Sequence, residues 1–502
     1  MNAPLFFVVI AALFAFSGCS DSETGNSNDT GIQADAGTYD GAVPDAIPSD
    51  EGSPDSTADA EALEDTADAL PDNDLENGGQ DTNSQDTNLE DTDLEETLDD
   101  VLPPDDAMED IEADVATPAF GQPVEISSGT GYESGELHAM SVNELGNVTV
   151  FWRGTADDGT VAVLASVSDA TAGSFLPPVA IKEGMQKQGI AVGGDMLQAQ
   201  STYYFTWRDL DDAGNDVVLF RRTTTADFGG EDVALDTGAG AIDLWRPQLV
   251  RSNDGTLCAM WERKNGQAAD VFLRCSLDDG LTWNDEVQVD DPDGMNATVS
   301  AARFNSLGAL VVALQIGQVN GTHITVRVSD DLGLTWTQAT TVDGSPIENG
   351  QVSASLAEGS NLIPSMIQTM TGNLKLAWHK PLPGATGVAY LTTSQDGLSW
   401  TAPTLIPETK VNVGLVRGRG SDLHVSSVES ILGQGDTLYM SSPDEGETWG
   451  LANPVPKTMN STLIDHRMRA NLVEGWLYIA WWESLPGNLL KQKLLLMTVG
   501  GP

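Results

Sequence analysis

The side chains best suited to chemistry in this chain are its scarce cations. Arg246, Arg303, Arg417 and Arg467 each lie on a strand-like run, and His138, Arg419, His466 and Arg469 share the same setting. Guanidinium groups brought together would grip a carboxylate through paired, charge-assisted hydrogen bonds. Acid is far more abundant, however: 76 Asp and Glu stand against 23 Lys and Arg. Pairing with those acids is the plainer use of each arginine, and it is the use favoured here. Tyrosine is sparse. Tyr390, Tyr439 and Tyr478 fall inside strands where packing is the default, and Tyr132 lies ahead of one. Cys258 and Cys275 flank the turn Asn265-Gly266-Gln267 symmetrically and so should sit opposite each other. A cross-strand disulfide and a pair of buried thiols both fit that placement. With no further Cys beyond Cys19 and only five His in the whole chain, the spacing suits no zinc site. No metal or cofactor is expected.

These residues occupy one of three compositional regimes. Residues 1–18 hold the apolar run Leu5 to Phe16 followed by Ser17-Gly18, the size of a secretory h-region and too short to span a bilayer. The small residues ahead of Cys19 resemble a lipobox, which implies lipidation of Cys19 and an anchored N-terminus; an ordinary signal peptide is the alternative. By the same resemblance, Ser20 favours the outer membrane of a bacterium, with the protein facing the periplasm or the exterior. Residues 19–118 carry 32 of the acids and none of the bases, with a single aromatic, Tyr39. Such a composition cannot bury enough apolar surface to offset backbone entropy, and it predicts a disordered, self-repelling spacer. Residues 119–502 then form the folded part, still net acidic. That charge argues against nucleic-acid partners and against charge-driven binding to anionic lipid. A monomer is expected.

The folded part is organised by a recurring phrase. Ser276 to Trp283 reads S-L-D-D-G-L-T-W, Ser329 to Trp336 reads S-D-D-L-G-L-T-W, and Ser442 to Trp449 reads S-P-D-E-G-E-T-W. Ser394 to Trp400, S-Q-D-G-L-S-W, is one residue shorter. In each, Ser and Asp (Ser276 and Asp278, Ser329 and Asp331, Ser394 and Asp396, Ser442 and Asp444) can bond turn backbone. Gly280, Gly333, Gly397 and Gly446 supply positive φ, and the Trp is an apolar plug. A second pattern ends a strand in Trp at 152, 207, 261, 378 and 481, with Gln315 taken as the equivalent where Trp is missing. The units run at about fifty residues, which predicts an all-β propeller of four-stranded antiparallel blades. Seven are counted; six with one irregular insertion is the alternative. The last unit lacks an outer strand, whereas Gly121 to Ile126 precedes the first as an orphan, so that strand should close the ring.

The phrase S-x-D-x-G-x-T-W is identified as the Asp-box, or bacterial neuraminidase repeat, so residues 119–502 resemble the sialidase-like propeller superfamily. The resemblance implies that the box is a peripheral turn without catalytic duty, on a fold that hosts both enzymes and binding proteins. A sialidase of this kind would need three arginines on the substrate carboxylate, a Tyr nucleophile with a Glu partner, and an acidic proton donor. The nearest match to the family's first arginine phrase is Leu244-Trp245-Arg246-Pro247, and no Tyr–Glu pair can be set beside an arginine triad. The leading expectation is a non-catalytic, lipid-anchored propeller that recognises a glycan or a protein. The runner-up is an exo-acting sialidase-type hydrolase using Arg246, Arg417 and Arg467.

Overall fold

The structure, a computed structural model, describes residues 118–500 except 186–192, 238–242, 266–267, 292–295, 319–320, 343–346, 349–350, 353–361, 383–385, 429–435, 458–462, 471–474 and 486–487. The lipobox, Cys19 and residues 20–117 lie outside the described residues. All described residues belong to the unit Asp110–Pro502.

Seven four-stranded antiparallel sheets form a ring, and the described residues contain no helix. The first strands of the blades are Tyr132–Val142, Gly194–Ala199, Asp243–Arg251, Asn296–Phe304, Leu362–Gln368, Val411–Arg417 and Leu463–Ala470. Each touches the first strands of both neighbouring blades, and the circle closes where Leu463–Ala470 meets Tyr132–Val142. The first strands therefore line the centre. The orphan N-terminal strand pairs at Val124–Glu125 with Asn488–Val499 and completes blade seven, with Phe120 bridged to Val499. This closure removes the free edge that a three-stranded last blade would leave.

The apolar core is divided among the seven joints between blades. Each joint holds one buried cluster, such as Trp152 with Tyr478, Trp482 and Leu496 between blades seven and one. The others link blades one and two, two and three, and so on around the ring. The strand-ending Trp residues fill one fixed slot of these joints, four residues after the position paired with the Ser of the turn. In blade three Leu257 pairs with Ser276 and Trp261 follows four later. In blade four Leu310 pairs with Ser329, so the slot falls on Leu314 and not on Gln315. In blade six it falls on Ser427. Strand alternation explains the difference. Leu314 points to blade three, as its place in that cluster shows, and Gln315 belongs to the opposite face.

The Asp-box turns share one hydrogen-bond pattern. In blade three Ser276 Oγ donates to Asp278 Oδ1 at 2.8 Å, and Gly280 N donates to Ser276 Oγ at 2.8 Å. Thr282 closes the loop by donating its N–H (2.8 Å) and hydroxyl (2.6 Å) to Asp278. The same bonds recur at Ser329–Asp331–Gly333–Thr335 and at Ser442–Asp444–Gly446–Thr448. These donors hold the Asp278 and Asp444 carboxyls down at about 2. The glycine is fixed twice over. At Gly446 φ is +93°, and a Cβ would lie 2.5 Å from Leu391 of the preceding blade. Trp283 likewise meets Phe220 of blade two edge-on at 4.9 Å.

Candidate functional site

The seven inner strands present two ends. The Asp-box turns and the hairpins after the first strands lie at one end, joined by bonds such as Asn305 Nδ2 to the Asp396 carbonyl at 2.9 Å. The blade-to-blade linkers lie at the other, here called the linker end. Six of the seven first strands carry a β-bulge close to the level of the Trp slot, for instance between Leu137 and Ala139 and between Trp245 and Gln248. A bulge re-aims the side chains it carries. Arg246 sits within one of these bulges, with φ at +47°. Gly193 of blade two runs against it, since a Cβ there would be 3.1 Å from the Arg246 Cα.

One residue beyond each Trp slot the chain turns a side chain toward the next blade, and five of the seven are polar. They are Arg153, Arg208, Glu262, Gln315 and His379, with Val428 and Trp482 at the other two positions. Arg153, Arg208, Glu262 and His379 are buried. Burial lowers the His379 pKa to about 4 and also lowers that of Arg153, which Glu136 across the strand partly restores. Sequence reasoning missed this row. The available signal was the charged residue that follows each of Trp152, Trp207 and Trp261.

The row and the bulges meet in a cluster on blades two and three. Arg208, 2% exposed, pairs with Asp216 at 2.5 Å and Asp243 at 3.3 Å. Its guanidinium lies 4.7 Å from the centroid of Trp245, and the Lys264 ammonium lies 4.2 Å from the same ring. Arg246 reaches buried Glu262 at 3.4 Å while keeping 44% of its side chain exposed. Burial lowers the Lys264 pKa, with Glu262 opposing that shift. The cluster thus offers Arg246, Lys264, half-buried Trp245 and exposed Asp243 to solvent at the linker end. Chemically it is a patch of fixed cations, one acid and an aromatic edge, suited to hydrogen-bonding a polar ligand.

The arginines singled out from sequence stand at different depths along their strands. Arg246 lies opposite the slot residue Trp261, and Arg467 pairs with Ala480, one residue below its slot. Arg303 pairs with Val311, three below, and donates to the Ala302 carbonyl at 2.7 Å. Arg417 pairs with Leu423, four below, and donates to the Gln368 carbonyl at 3.2 Å. At roughly 3.3 Å per residue, Arg417 is about 13 Å nearer the Asp-box end than Arg246. Most other described arginines tie blades together. Arg221 donates to the Ile181 carbonyl, Arg327 to the Val289 carbonyl, and Arg222 and Arg251 both meet Asp279. Tyr439 and Tyr478 are buried, and Tyr390 stacks on Trp378. Tyr132 is half-buried at the start of its first strand. Cys258 and Cys275 face each other in register and are joined as a disulfide. Among the described residues no group of three or more His, Cys, Asp or Glu is placed to hold a metal ion.

Residues 210–452 match the family model described as BNR repeat-like domain. No curated protein matches the chain. Among solved structures, polysaccharide lyase Uly1 aligns with a TM-score of 0.51 at 13% identity, over 72% of this chain and 89% of that one. The leech intramolecular trans-sialidase aligns at 0.41 and 12% identity, covering 77% and 70% of the two chains. A Hadza microbial sialidase aligns at 0.41 and 14%, covering 70% and 73%. The match spans just under half of the chain, and the described residues form a seven-bladed β-propeller whose turns carry the repeated Asp-box phrase.

Proposed function

We propose that this propeller binds a glycan at its linker end without cleaving it, and that Cys19 anchors the chain by lipid to the envelope or cell surface. One observation carries the non-catalytic reading: register sets Arg417 about 13 Å along the strand from Arg246, toward the opposite end of the ring, so these two do not share the level of one carboxylate. The patch of Arg246, Lys264, Trp245 and Asp243 supports recognition, because it keeps charged and aromatic groups exposed on a rigid inner wall. The fold it shares with a polysaccharide lyase fits a saccharide as the ligand class. The test is a glycan array probed with the full-length chain beside Arg246→Ala and Lys264→Ala. Selective binding that drops at least tenfold in both variants supports the reading. Undiminished binding in both removes the site. Release of a fluorescent sialoside, lost on Arg246→Ala, would replace binding with hydrolysis.

A further inference from the structure

The Asp-box end carries an apolar feature that the binding site does not use. Eleven large apolar side chains are exposed among the described residues, and only Val233 and Leu405 lie away from the turns of this end. Leu281, Leu334 and Leu398 occupy the step after the glycine in three Asp-box turns, 47% to 71% exposed. Leu145, Leu307 and Met370 stand on the neighbouring hairpins, 63% to 81% exposed. An exposed leucine is ordinary by itself, but concentration of such residues on one face marks an interaction surface.

The chain outside the described residues also joins the propeller here. Phe120 bridges Val499, Gly500 N donates to the Ala119 carbonyl at 2.8 Å, and Val499 pairs with Leu477 at the start of the second strand of blade seven. That position is at the Asp-box end, so the segment leading back to Cys19 leaves from the face that bears the leucines.

We infer that the Asp-box end is a membrane-facing surface whose turn-tip leucines rest in the interface of a zwitterionic phospholipid bilayer, leaving the linker end turned outward. The inference rests on the lipid-anchor reading. A neutral flexible tether of roughly one hundred residues would span about 55 Å, and like charges lengthen it further. It holds the face at an effective concentration that makes a weak apolar contact sufficient. The acids of this end select the lipid. Asp278 and Asp331 are bonded within their own turns and Asp279 is paired with Arg222 and Arg251. Glu144, Asp330 and Glu447 remain exposed and repel an anionic surface.

The experiment uses the full-length lipidated chain in phosphatidylcholine vesicles containing a spin-labelled lipid quencher. One preparation carries a fluorophore at Leu334→Cys, and another carries it at Asp158→Cys on the linker end. Quenching at least threefold stronger at position 334 is expected. A chain that floats with the vesicles but is quenched equally, or not at all, at both positions keeps the anchor and overturns the docking face. A chain that does not float contradicts the anchor and removes the inference with it. A fluorescence shift at 334 that rises with protein concentration and ignores the quencher assigns the face to self-association, which also overturns it.

Discussion

At the scale of single residues, the chain spends its few cations on holding blades together and its buried acids on local bonds. Asp279 shows the economy. It sits at φ +63° in the blade-three box and accepts from Tyr204 Oη at 2.6 Å while pairing with Arg222 and Arg251. Asp279→Ala should strand two guanidinium groups at that joint and lower stability by about 1–2 kcal/mol, read as a fall in the midpoint of urea unfolding. Asp290 behaves in the opposite sense. Its Oδ1 accepts from Val271 N at 2.8 Å, but its Oδ2 is buried without a partner, and burial raises its pKa to about 6. The folded state therefore holds the proton more tightly than the unfolded chain. Its contribution is fully present below the unfolded value near 3.8 and is lost as pH rises through about 6. Asp290→Asn should raise stability at pH 8 by on the order of 2 kcal/mol and change little at pH 4, measured by thermal unfolding at the two pH values. His379 and His424 run the other way. Burial lowers both to about 4, so their contribution is present above about 6.5 and is lost as pH falls toward 4.

At the scale of elements, the turn and the slot were legible in sequence to different degrees. The Asp-box could be read because its chemistry is local. Ser276, Asp278, Gly280 and Thr282 bond within eight residues, so their spacing alone specifies the turn. The Trp slot depends on strand phase, which a one-residue slip reverses; that is why Gln315 stood in for Leu314. The polar row was hidden for the same reason, since only the assembled joint decides whether the residue after a Trp is covered. The N-terminal strand was legible through bookkeeping, as a blade one strand short beside a strand without a blade. Ile126 is 2% exposed in the joint of blades seven and one, so Ile126→Asp should destabilise the propeller by at least about 3 kcal/mol, seen as a lowered unfolding midpoint. The Cys258–Cys275 link spans 17 residues of sequence within blade three. Removing it by a double change to Ala should cost about 3 kcal/mol on the chain-entropy account, checked by comparing unfolding midpoints.

At the scale of the whole molecule, function follows from which end of the ring each group occupies. The arginines at positions 246, 303, 417 and 467 looked like one set because sequence gives no depth along a strand. Register sets Arg303 and Arg417 three and four residues below the level of Arg246, and Arg246 joins Lys264 and Trp245 in a patch that faces the linker end. Glu262 anchors that patch from below, fully buried against Arg246. Glu262→Gln should therefore weaken ligand binding several-fold through loss of Arg246 positioning, with the midpoint of thermal unfolding shifted far less than by Ile126→Asp. The proposed binding of a saccharide, without cleavage, at the linker end of blades two and three is tested most directly by isothermal titration of the full-length chain with the strongest array ligand, repeated with Arg246→Ala and followed by mass analysis of the recovered saccharide. The predicted result is saturable binding weakened at least tenfold by the substitution, with the saccharide recovered intact. A cleaved saccharide, or binding that the substitution leaves unchanged, would contradict it.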